Sequence, residues 1–228
     1  MLNQHGGNLT KICSTYGIDP EKILDFSANI NPLGYPSEIE NIIISNLKTI
    51  LRYPDPDCCE LRKQLAAKHS CDENNIIVGN GSTELFYLIP RTISANRGIV
   101  FQPTFTEFPR ALLCAGTNVE DIICDEGDSF RINPMKVLDL GLNNNCRAGN
   151  SLAGTFQNIL FFCNPNNPTG QLVQKREILH LAELLPDSLI VVDEAFMEFI
   201  PEPDQYSVIS CASEIENLVV VRSLTKLF

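Results

Sequence analysis

NILFFCNPNNPTG (residues 158–170) begins with an apolar run that has no polar alternation and then enters a turn dense in proline and asparagine. The next segment, KREILHLAELL (175–185), has helical periodicity, and SLIVVDEAFMEF (188–199) starts a second apolar run. Strand, connection, helix and strand in that order make a βαβ unit, whose two strands lie parallel. The plan recurs on both sides. Upstream stand NIIVGNGSTELFYLIPRTI (75–93) and GIVFQPTFTEFPRALLCAG (98–116); downstream stands NLVVVRSLTKLF (217–228). Unbroken Val/Ile/Leu/Phe runs indicate strands buried on both faces. The expected fold is α/β, a three-layer sandwich with a mostly parallel sheet between helices.

Two regions fall outside this rhythm. Residues 1–35, with HGGNL and SANINPLGYP, are rich in Gly, Asn and Pro and read as an N-terminal arm or part of a smaller lobe, leaving 36–228 as the large domain. Residues 141–155, GLNNNCRAGNSLAGT, read as an exposed loop. With 228 residues, 44% of them hydrophobic, the chain can bury one large core. A membrane helix needs ~18 to 20 unbroken apolar residues. No run here reaches that, and MLNQHGGNLTKIC (1–13) lacks the apolar centre of a signal peptide, so the expected location is the cytoplasm. A net charge of −11 argues against a nucleic-acid partner, since phosphate backbones are bound by neutralising them. The nine cysteines show no metal or redox spacing and are expected to be reduced and mostly buried, and the three histidines form no ligand pattern, so no metal is expected.

In open parallel sheets, ligands bind at the carboxyl ends of the strands. Four such tips carry chemistry. GNGSTE (79–84) offers Gly81, Ser82 and Thr83 at a helix start, where free N–H groups and the helix dipole attract a phosphate. A plain turn with a Ser/Thr cap is the alternative. CNPNNPTG (163–170) holds asparagine amides in a rigid turn. DEAF (193–196) puts Asp193 at the end of a buried strand, where a carboxylate needs a cation or strong donor. RSLTK (222–226) groups Arg222, Ser223 and Lys226. Each tip alone has a structural explanation. Jointly they supply a phosphate cradle, an amide, a carboxylate and an amine, the set that suits a phosphorylated aromatic aldehyde, pyridoxal phosphate.

The series GNGSTE, PTF, NPNNPTG, DEAF, SLTK resembles the fold-type I pyridoxal-phosphate enzymes, the aspartate aminotransferase superfamily, over essentially the whole chain. The resemblance implies that Lys226 is the Schiff-base lysine and that Asp193 partners the pyridine nitrogen. Asn167 would bind the phenolic oxygen, and Gly81, Ser82, Thr83 and Ser223 the phosphate. Phe105 would stack on the ring. Tyr53, in LRYPDP (51–56), would reach the phosphate of a neighbouring subunit, implying a homodimer. Where many members have a tyrosine three residues after the aspartate, this chain has Phe196.

The arm, residues 5–36, resembles the opening of threonine-phosphate decarboxylases and, less closely, histidinol-phosphate aminotransferases. By that resemblance His5, Gly6, Asn29 and Asn167 would contact a small phosphorylated amino-acid substrate. Superfamily chains continue past the lysine into a phosphate-binding arginine and a small domain. The chain is therefore expected to be a C-terminally incomplete fragment whose own activity is doubtful, the alternative of another class being a non-catalytic dimerising piece.

Overall fold

The computed structural model describes residues 6–93, 95–142 and 156–227. His5, Phe228 and most of the 141–155 loop lie outside the described residues.

The first third of the chain is helical. Helix α1 (Leu9–Tyr16) is capped by Asn8, whose Oδ1 accepts the Lys11 N–H at 3.2 Å, and stops at Gly17, left-handed at φ 65°. Helices α2 (Glu38–Asn46), α3 (Cys59–His69) and α4 (Ser82–Thr92) follow. Then come β1 (Arg97–Gln102), α5 (Glu107–Cys114), β2 (Asn118–Ile123), β3 (Asn158–Cys163), α6 (Lys175–Leu184), β4 (Ser188–Asp193) and β5 (Leu218–Val221).

The strands form one wholly parallel sheet in the order β2-β1-β3-β4-β5. Its pleat sorts side chains into two cores. Phe101, Leu160, Phe162, Ile190, Val192 and Leu218 face α6, while Val100, Phe161, Val191 and Val221 face Phe86 of α4 and Phe108 of α5. On the second face the Phe108 and Phe161 rings stack at 4.9 Å and Phe86 meets Phe108 edge-on at 5.0 Å. Burying each such ring stabilises by roughly 1.5 to 3 kcal/mol. Gly98 permits this approach, because a Cβ there would come within 2.5 Å of the Leu112 side chain. This is the α/β architecture expected from the unbroken runs.

Three expectations are corrected. The run NIIV forms no strand: Asn75 closes a helical turn (Glu73–Asn75) capped by Asp72, and Ile77 is 78% exposed. Both neighbours of β1 are already taken by β2 and β3, and only three apolar residues separate the capped turn from Gly79. Conversely β2, NVEDII, has too little apolar character to read as a strand, because it is an edge with one face half-exposed. The cysteines among the described residues are free thiols, but only Cys124 and Cys163 are buried; Cys59 and Cys114 are exposed. No helix among the described residues is long and apolar enough to cross a membrane.

Candidate active site

Strand register sets the floor of the site. Cys163 of β3 pairs with Asp193 of β4, which pairs with Val221 of β5, so three strands end at one level. The turn residues beyond them converge on a single rim.

Asp193 and Glu194 leave the end of β4 in opposite directions, as the pleat requires. Asp193 is buried on the side of the Phe86–Phe108 core; its Oδ1 accepts the Ala195 N–H at 3.0 Å, and the Cys163 thiol stands 4.0 Å from Oδ2. Burial pushes its pKa up to about 7, against the lowering effects of the Ala195 N–H and the Lys226 charge. Near neutral pH both its charged and its neutral forms are therefore populated, and a cation placed beside it would favour the carboxylate. Glu194 turns the other way and is fully buried. Its Oε1 accepts the Val208 N–H at 2.7 Å, and its Oε2 takes the Ser207 hydroxyl at 2.7 Å and pairs with Arg222 Nη2 at 2.8 Å. Burial raises its pKa and Arg222 opposes that rise. Arg222 thus parts from Ser223 and Lys226, with which it shares a turn, to serve Glu194 and, at 3.1 Å, Glu198.

The three asparagines of NPNNPTG divide their work. Asn164, fully buried, exchanges hydrogen bonds with the Val173 backbone and donates to Tyr206 O. Asn166 donates to Pro103 O at 2.9 Å and Thr169 Oγ1 at 2.8 Å and accepts from Thr104 Oγ1 at 3.0 Å. Two amides are consumed in fixing the turn. Asn167 lines a cavity of about 260 Å³ with Asn166, Asn29, Phe196, Phe199 and Ile200, and its Oδ1 accepts from Asn29 Nδ2 at 3.4 Å.

At the start of α4, Gly81 occupies the cap position at φ 83° and ψ 157° with no side-chain cap bond, so the first-turn N–H groups of Ser82 and Thr83 stay available. Phe105 is held edge-on by Phe86 at 6.2 Å and Phe108 at 5.5 Å. Ser223 shares a hydrogen bond with Thr225 at 3.0 Å. Lys226, half-buried, carries its Nζ 5.7 Å from the centre of the Phe196 ring. Gly6 packs so closely on the arm that a Cβ would lie 1.6 Å from Ser27 O, and the Gly7 N–H donates to Ser27 Oγ at 2.7 Å, which places Gly6 beside the segment leading to Asn29. Tyr53 is fully exposed and meets none of the strand tips of its own chain. Asp55, Asp57 and Cys59 gather metal-ligand atom types within 4.8 Å, all exposed; Asp55 is engaged there by the N–H groups of Asp57 and Cys59 at the start of α3.

Sequence reasoning missed Glu194, Ser207, Thr104 and Asn31. The only available signal was alternation, which sends the second acid of an Asp-Glu pair away from the first.

The donor set fits pyridoxal phosphate. A buried carboxylate, a cavity-facing amide and a lysine follow the ends of three neighbouring strands of one parallel sheet, and the start of α4 offers an uncapped helix terminus. Comparison with known proteins agrees. The family model described as aminotransferase class I and II matches residues 21–228. A threonine-phosphate decarboxylase of Salmonella typhimurium is 34% identical over 98% of this chain and 58% of its own. A histidinol-phosphate aminotransferase of Methanocaldococcus jannaschii is 30% identical over 98% of this chain and 57% of its own. The crystal structure of the L-threonine-O-3-phosphate decarboxylase from Porphyromonas gingivalis superimposes with a TM-score of 0.68 at 29% identity, over 88% of this chain and 55% of that one. The chain therefore spans a little over half the length of these relatives. Fold, motif order and family model concur, and the chain belongs to the class I and II aminotransferase family.

Proposed function

We propose that this chain carries the cofactor-binding part of a pyridoxal-phosphate-dependent decarboxylase that converts L-threonine O-3-phosphate to aminopropanol phosphate, a step of cobalamin synthesis. In this reading residues 36–228 form the cofactor-binding lobe and 1–35 the arm, in a cytoplasmic homodimer. The observation that supports it is the arm-to-tip contact: Asn29 donates to Asn167 at 3.4 Å and both line the cavity, which in this reading would receive the substrate.

The bound cofactor supplies a ring that takes up the electrons released when a bond to the substrate Cα breaks. The protein's residues do the rest. The uncapped start of α4, with Ser82, Thr83 and Ser223, would hold the phosphate. Asp193 would keep the pyridine nitrogen protonated, Asn167 would donate to the phenolic oxygen, and Phe105 would support the ring. The Lys226 amine would anchor the aldehyde and hand a proton to Cα. Gly6, His5 and Asn29 would orient the substrate so that the carboxylate bond, rather than the C–H bond, stands perpendicular to the ring.

The histidinol-phosphate aminotransferase reading is kept by the relative at 30% identity, which uses the same scaffold. One experiment separates the readings. The chain is loaded with pyridoxal phosphate, and carbon dioxide release from threonine phosphate is measured beside amino transfer from histidinol phosphate. Release of carbon dioxide supports the proposal and transfer favours the second reading. A loaded chain inactive on both is expected of an incomplete cofactor-binding part and of a non-catalytic dimerising piece alike, and lysine-linked cofactor absorbance, expected only of the first, separates them. Lys226→Ala is expected to abolish the visible absorbance of lysine-linked cofactor; absorbance that survives the substitution would sink the assignment of the lysine.

Phe196 gives a second expected outcome. Its ring lies against Lys226, and a hydroxyl there could add a hydrogen bond to the ionised phenolic oxygen. Phe196→Tyr should therefore lower the pH at which the lysine-linked absorbance titrates, because a donor stabilises the anionic form. Superimposable titration curves would rule out that role.

A further inference from the structure

We propose that Asn31 is a positioning residue, a fastener by which the arm holds the loop carrying Lys226. This rests on the cofactor reading given above for its catalytic meaning, but its structural content stands on hydrogen bonds alone.

The lysine loop has little of its own to hold it. Strand β5 ends at Val221 and Arg222 is anchored to Glu194, but the residues beyond it are tied by the local Ser223–Thr225 bonds, with Leu224 49% exposed. Among the described residues, the backbone carbonyls of Lys226 and Leu227 are held by the arm. The Asn31 N–H donates to Lys226 O at 3.3 Å, and Asn31 Nδ2 donates to Leu227 O at 2.8 Å. The asparagine is itself pre-set. Its Oδ1 accepts the Leu33 N–H at 3.0 Å, its Nδ2 also reaches Gly34 O at 3.1 Å, and its carbonyl accepts the Gly34 N–H at 3.2 Å. Gly34 closes this turn in the left-handed region, at φ 76°. The oxygen serves the arm's turn alone, and the amide is shared between that turn, at Gly34 O, and the lysine loop, at Leu227 O. Two residues earlier Asn29 reaches Asn167, so the same arm segment touches both tips that the cofactor needs.

The division between oxygen and amide supplies the test. Asn31→Asp keeps the acceptor for Leu33 and loses the donors to Leu227 and Gly34, whereas Asn31→Ala loses acceptor and donors together. Two ligands separate positioning from general damage. Pyridoxal phosphate requires a placed Lys226 for its lysine-linked absorbance; pyridoxamine phosphate carries no aldehyde and reports the rest of the site by fluorescence. Losing a fastener of about one neutral hydrogen bond corresponds to roughly a 3- to 10-fold loss. Both variants are expected to need about that much more pyridoxal phosphate for half-maximal absorbance, while binding pyridoxamine phosphate within about twofold of the parent. Amide hydrogen exchange in the cofactor-free chain should be faster across 222–227 in both variants. The proposal is overturned if Asn31→Asp behaves as the parent, if the two ligands weaken in parallel, or if exchange across 222–227 is unchanged. Should the parent bind neither ligand, the cofactor reading fails by itself, and the exchange result then decides the fastener: faster exchange in both variants upholds it, and unchanged exchange removes it.

Discussion

Asp193→Asn is expected to stabilise the cofactor-free protein at pH 8 while weakening its hold on pyridoxal phosphate. The carboxyl titrates from 3.8 to about 7 on folding because it is buried. Between those values the folded chain keeps a proton that the unfolded chain has released. Stability therefore falls as pH rises from about 4 to about 7 and is lowest above the folded value. At about 1.4 kcal/mol per pKa unit the destabilisation at pH 8 has a ceiling of about 4 kcal/mol. An asparagine carries no charge to desolvate and can accept the same Ala195 N–H. We expect a gain of about 1 to 3 kcal/mol, or several degrees in melting temperature, vanishing near pH 4. The cofactor responds oppositely. A protonated ring nitrogen loses its charged partner, and a charge-assisted bond of about 1.5 to 3 kcal/mol corresponds to a 10-fold or greater loss of affinity. Melting curves at pH 4 to 8 and a cofactor titration measure both. A variant less stable than the parent at pH 8 would show that the aspartate is a structural acid held by partners in the folded chain.

Arg222→Met should have the largest effect on the fold itself. Glu194 is fully buried, and removing the guanidinium leaves it with only the Ser207 hydroxyl and Val208 N–H. Breaking a buried pair by removing one partner costs about 3 to 5 kcal/mol, because the remaining charge is uncompensated. The double variant Glu194→Gln, Arg222→Met should recover most of that, since an amide with a hydroxyl and an N–H partner carries no buried charge. Denaturant unfolding of the parent, each single variant and the double variant gives the coupling directly. If the double variant were as damaged as Arg222→Met, the arginine would act through its contacts with Glu198 and Ser207 and not through Glu194's charge.

The sequence showed the sheet's interior and the chemistry at its tips for one physical reason. Strands buried on both faces must be apolar throughout, so Asp193 and Lys226 stand out as the first polar groups after such runs. That signal fails at the edges: NVEDII is a strand with half its residues in water, and NIIV is apolar without a place in the ladder. It also fails for groups defined by distant partners. Asn164, Asn166 and Asn167 are identical in type and adjacent in a rigid turn, and only the positions of Val173, Tyr206, Pro103 and Thr104 decide which amide is left for the cavity. Arg222 is grouped in the sequence with Ser223 and Lys226, and only the burial of Glu194 shows that it turns away from them. Asn31 gave no local signal, because its partner is at the other end of the chain.

That last distance has a consequence for the order of events. Asn29 and Asn167 lie 138 residues apart, and Asn31 and Leu227 lie 196 apart. Contacts with such separation form late, after the nearer strand pairings have brought the segments together. During synthesis the arm leaves the ribosome well before the loop it grips. Phe26 and Leu33, still exposed in the finished chain, wait unattached through that interval. The contact between arm and lysine loop is thus a late one, and a nascent chain short of Lys226 has no lysine loop for the arm to fasten.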